Sequence, residues 1–133
     1  MGRLLAVGLC SVFLLACAFG SVKNIPLLLI EGMVIENQTQ MWVSAARLLV
    51  PVTGNFVSCG NIPPGSMCST TFPETGYTGN PVEITWSQGG QIHSTGQFVV
   101  QLSDYLDRDR PAVFRVAITG PGSAGVVIVQ QQE

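Results

Sequence analysis

Beyond its apolar N-terminus the chain keeps no helical period anywhere. Apolar residues come in short runs or in strict alternation, broken by turn residues every eight to twelve positions. Clusters such as Pro51-Val52-Thr53-Gly54, Pro63-Pro64-Gly65, Gly89-Gly90 and Gly120-Pro121-Gly122 punctuate the whole length. A chain interrupted this often has no room for a helix long enough to bury an apolar stripe, so the core must come from strands. The pattern predicts an all-β fold: a small antiparallel β-sandwich, Ig-like or of a related Greek key, with about seven or eight strands. At 133 residues there is material for one domain.

The segments follow from turn chemistry. Leu27–Glu36 reads as the first strand, with Gly32 as a bulge, and Asn37-Gln38-Thr39 as the turn out of it. Trp42–Val50 and Phe56–Cys59 form a hairpin around Pro51–Asn55. Pro64 sets φ and Gly65 accepts a positive one, so Ile62–Gly65 reads as a type II turn returning into Met67–Phe72. Pro73–Pro81 is long enough to cross between sheets. In Val82–Trp86 the alternation puts Val82, Ile84 and Trp86 on the core face, with Glu83 and Thr85 outside. Gly89-Gly90 is a two-residue hairpin turn leading into Gln91–Leu102. Ser103–Arg110 is read as a helical turn capped by Ser103 or Asp104. Ala112–Thr119 and Gly125–Gln130 make the last hairpin, with fraying from Gln130 to Glu133. The aromatic residues Trp42, Phe56, Phe72, Tyr77, Trp86, Phe98 and Phe114 are spread over most of the segments, as core residues are. Tyr77, in a long loop, is the expected exception and a candidate binding residue.

The first residues carry an address. Arg3 precedes the charge-free apolar run Leu4–Leu15, the form of a secretory signal. The run is shorter than the ~20 residues a helix needs to span a bilayer. Leu14-Leu15-Ala16-Cys17 resembles the lipobox of bacterial lipoproteins, in which a small residue precedes the cysteine that receives diacylglycerol. Leu15 departs from the small or β-branched residue usual there, and Ala16-Cys17-Ala18 also fits ordinary signal peptidase. The resemblance implies a signal peptide at residues 1–16 and a lipid anchor and tether at 17–24, with Cys17 lipidated; the β-sandwich read from the strand pattern then occupies 25–133. It implies the bacterial cell envelope, and, because Ala18 replaces the aspartate of inner-membrane retention, an outer-membrane address facing the periplasm in a Gram-negative host. The alternative is a soluble periplasmic or secreted protein. The membrane is then one partner through the anchor, and another envelope protein the expected second.

Composition excludes some partners. Without Met1–Ala16 the chain has five basic residues against eight acids, a net charge of −3. Nucleic acid binding rests on clustered Lys and Arg, which are absent.

Cys59 and Cys68 flank the Pro-Pro-Gly turn and are expected to pair as a cross-strand disulfide in an oxidising compartment. Two cysteines and one histidine fall short of a metal's four ligands. His93 and Ser94 are adjacent on a strand and point to opposite faces, so they do not make a nucleophile–base pair. Asp104, Asp107 and Asp109 interleave with Arg108 and Arg110 and lack the glycine and distal glutamate of a calcium loop. Asn37-Gln38-Thr39 matches a glycosylation sequon, whose use in a bacterial lipoprotein is as a turn. The reading is therefore of a non-enzymatic binding or assembly protein without cofactor or metal. Its alternative is a hydrolase inhibitor acting through the stiff loop Gly60–Gly65, with Pro63 and Pro64 at its tip.

Overall fold

The computed structural model describes residues Leu27–Gln130. Eight strands run in chain order: β1 (Leu29–Asn37), β2 (Val43–Val50), β3 (Asn55–Ile62), β4 (Met67–Gly76), β5 (Glu83–Gln88), β6 (Gln91–Ser94), β7 (Ala112–Gly120) and β8 (Ser123–Val129). They form two four-stranded sheets, β4-β1-β7-β8 and β3-β2-β5-β6. The two sheets pack face to face as a β-sandwich.

The core is the set of inward positions of both sheets. Ile30, Met33 and Ile35 come from β1, Ala112, Phe114, Val116 and Ile118 from β7, and Ile84 and Trp86 from β5. The expected faces of Val82–Trp86 are found, with Val82, Ile84 and Trp86 buried and Glu83 and Thr85 partly exposed. Gly32 sits at the expected bulge, where the register of β1 shifts. A Cβ there would meet Thr70 O at 2.7 Å, so only glycine lets β4 approach.

Five pairings are antiparallel, whereas β1 pairs parallel with β7. A parallel neighbour is possible because five strands, β2 to β6, separate β1 from β7 along the chain, ample length for the crossover.

Several local expectations are corrected. The Pro63-Pro64-Gly65 turn does not return the chain to a neighbouring strand of the same sheet: β3 and β4 are edge strands of different sheets. Gln91–Leu102 is not one strand, since β6 ends at Ser94 and only Phe98 rejoins the sheet, through a bridge to Val82. Ser103–Arg110 forms two turns and no helix. Ser103 still caps, its Oγ accepting from Tyr105 N at 3.2 Å. Gln130 is held rather than frayed: its Oε1 accepts from Asp107 N at 2.9 Å, and its Nε2 donates to Asp107 O at 2.6 Å and to Arg110 O at 2.8 Å. Trp42 and Phe56 are not core residues, being 58% and 55% exposed. His93 is half-buried, with its ring 5.6 Å from that of Trp86.

Candidate functional site

The edge strands β3 and β4 define a seam along one side of the sandwich, and its two ends differ. At one end Cys59 and Cys68 form a disulfide, with Cα atoms 6.0 Å apart, within the range such a bond allows. The bond joins the edge of one sheet to the edge of the other. It is therefore a clasp between sheets rather than the rung of a hairpin.

A buried polar network lies at the same end. Asn37 is fully buried, and its Nδ2 donates to Met41 O at 2.8 Å and to Ile62 O at 3.0 Å. Its Oδ1 accepts from Thr39 N at 3.0 Å and Thr39 Oγ1 at 2.6 Å. Gln88, also buried, donates from Nε2 to Thr39 Oγ1 at 2.7 Å and accepts from Trp86 Nε1 at 3.3 Å. Both amide side chains are thus satisfied, as burial demands. The sequon asparagine is the keystone of this network, with both Nδ2 hydrogens committed.

At the other end the sheets part. From the clasp, β3 runs back to the β2–β3 turn and β4 runs on to Gly76, and a cavity of about 610 Å³ opens between them. Its floor is the inner faces of both sheets: Ile30, Leu48, Val50, Val82 and Phe114. Val57 of β3 forms one wall, and Phe72 of β4 with Tyr77 the other; Phe56, next to Val57, turns to the outer face, where Arg47 stacks over its ring. Thr53, Asn55, Thr75, Thr78 and Asn80 supply the polar lining, and among the described residues no charged side chain lines the cavity. The size is that of a small-molecule site, and an apolar lining with a few uncharged polar groups is the usual composition of one.

Tyr77 fixes the floor. Its OH donates to Val100 O at 2.6 Å, and its ring meets Phe114 edge-on at 6.2 Å. Burial pushes its phenol above the ordinary tyrosine value, so it stays neutral. Leu27 lies over Gly76 at the same end, where an added Cβ would meet its side chain at 2.9 Å.

Of the residues singled out from sequence, Tyr77 lines this cleft. Pro63 and Pro64 stand at the clasped end beyond Ile62, and the fold does not bring them to Tyr77. Cys17 lies outside the described residues. Phe72 and Phe114 belong to the site but read in the sequence as ordinary core. A clue was present at Phe72-Pro73, because a proline inside a strand marks a sheet edge. Such an edge aromatic has a free side.

Ser94 Oγ donates to Glu83 Oε2 at 2.8 Å rather than meeting His93. Asp107 Oδ1 accepts from Asp109 N at 2.9 Å, a turn contact. Comparison with family models, with curated proteins and with solved structures finds no match.

Proposed function

We propose that this chain is an exported, lipid-anchored envelope protein whose sandwich binds the acyl chain of a lipid in the cleft between β3 and β4. The observation that carries the reading is the uncharged, aromatic-walled cavity at the unclasped end of the seam. An apolar chain with a neutral polar head suits it: methylenes against Phe72, Val57 and Phe114, the head among Thr53, Asn55 and Asn80. A charged ligand would find no counter-charge in the lining. The position supports the same occupant. Leu27 enters beside the cleft, and ten residues of tether from a lipidated Cys17 reach at most ~35 Å, which keeps the mouth near the bilayer. The clasp and the amide network hold the far end shut, so the cavity exists before ligand arrives.

A fluorescent long-chain fatty acid tests this, with native mass spectrometry of the protein taken from membranes. Binding should saturate at one per chain, and affinity should rise about fourfold per added methylene, the equivalent of ~0.8 kcal/mol each, until the cleft is full. Phe72→Glu should abolish binding while the sandwich still folds, with a melting temperature lowered by several degrees at most. Equal binding by Phe72→Glu, or affinity indifferent to chain length, sinks the reading. A co-purifying peptide in place of lipid would sink the lipid assignment alone.

A further inference from the structure

Four strands lie at sheet edges, and three are blunted against pairing with another chain. β6 has only four residues. β4 carries Pro73, which has no N–H to offer. β3 is irregular in register against β2 and is clasped to β4 by Cys59–Cys68. β8 has none of these defences. It is seven residues long, contains neither a charge nor a proline, and keeps an unbroken register with β7 from Val129 back to Ala124. Among the described residues no backbone–backbone hydrogen bond outside the β7–β8 ladder involves Ser123–Val129, and the Ser123 carbonyl accepts only from Thr119 Oγ1 of the same hairpin, at 3.3 Å. The outward N–H and C=O groups of a long regular edge call for a strand.

We infer that β8 pairs antiparallel with β8 of a second copy of this chain. The side chains favour self-pairing about a two-fold axis at Val126. In that register Val126 faces Val126 of the other copy, Gly125 faces Val127, Ala124 faces Ile128, and Ser123 faces Val129. Every pair away from the axis sets a small residue against a β-branched one. Each pair also keeps its face, with Ala124 and Ile128 inward and Gly125 and Val127 outward, so the sheet continues without a slip. No like charges meet, because the strand carries none. Val127, 55% exposed in the single chain and paired there only with Arg115 of β7, would gain Gly125 of the other copy on its open side. The result is one continuous sheet through both copies, an isologous interface that closes on itself. β8 and β4 are opposite edges of their sheet, so pairing leaves both lipid clefts open. The inference does not depend on what those clefts bind.

Sedimentation of the full chain in detergent, with cysteine cross-linking, tests it. The wild type should sediment as a concentration-dependent dimer. Val126→Cys should give a covalent dimer on mild oxidation, because only residue 126 faces itself. Val127→Lys puts an edge-guarding charge on an already exposed position, and it should weaken dimerisation about tenfold or more, with the melting temperature unchanged when measured at concentrations where both forms are monomeric. A monomer at all concentrations overturns the inference. So does a dimer that ignores Val127→Lys, or Val126→Cys cross-linking in cells to a different protein, which would make that protein's strand the occupant.

Discussion

The two ends of the β3–β4 seam are built from the same strands and behave as opposites. At the clasped end a covalent bond spans the sheets, and Asn37, Thr39 and Gln88 bond one another and the backbone in a closed set. At the open end Val57 and Phe72 line facing walls with a cavity between them. The difference lies in what each end offers across the gap. Directional partners at fixed distances draw two sheets together, because a buried amide left unbonded costs more than the closure does. Apolar side chains also gain from closing such a gap, but they fix no register across it, and here the cavity separates the two walls.

That contrast can be broken by substitution. If it holds, changes toward the clasped end cost stability and changes at the open end cost binding. Trp86→Ala should have the largest effect, about 3–5 kcal/mol, since it empties a fully buried site and removes Gln88's donor. A loss under ~1 kcal/mol in denaturant melts would contradict its burial. Asn37→Ala should follow at roughly 2–4 kcal/mol, because Met41 O, Ile62 O and Thr39 N each lose a partner. Glycosylation of Asn37 on expression in a glycosylating host would show that the network forms late or not at all.

Cys59→Ser with Cys68→Ser should lower stability by about 2–3 kcal/mol, the value for a loop of this length. Because the bond joins two sheets, its loss should also speed hydrogen exchange at β3 and β4 more than at β7. Equal exchange throughout would mean the network closes that end unaided. Phe72→Ala should cost less, roughly 1 kcal/mol, since its side chain already borders a cavity. A cost equal to that of Asn37→Ala would erase the distinction between the ends.

The smallest effect concerns Tyr77. Its folded phenol titrates above the unfolded value, so the neutral form stabilises the fold below the unfolded pKa, ~10, and that contribution is lost as pH rises through the folded pKa. A phenolate could no longer donate to Val100 O. Tyr77→Phe should cost about 1 kcal/mol at neutral pH and flatten the alkaline decline of the melting temperature. An unchanged alkaline slope would place the titration elsewhere.

Much of this architecture is legible residue by residue. Val82–Trp86 declares its buried face, Gly89-Gly90 its hairpin, and Gly32 its bulge, because each rests on backbone geometry within a few residues. Two exposed aromatics were half-legible. Phe56 is three positions from Cys59, so the two cannot share a face of one strand, and Trp42 adjoins buried Val43. The period says only that such residues lie on opposite faces. Which of the two faces is inside depends on a second sheet.

The alternation, the turn residues and the cysteine spacing were enough for an all-β chain with a disulfide across Pro63–Gly65. Those are local consequences of φ, ψ and side-chain period, and they hold whichever strands become neighbours. Long-range packing decided the rest. It made the Pro-Pro-Gly turn a crossing between sheets and set β1 parallel to β7. It folded Gln130 back onto the 103–110 turns and left the cleft at one end of the seam. A turn sequence fixes the reversal of the chain but not the sheet it enters, because that choice depends on apolar surface supplied by residues far along the chain. The cleft is the clearest case: its walls come from β3, β4 and the β4–β5 connection, and its floor from β1, β2 and β7. No local pattern records what so many distant segments leave empty between them.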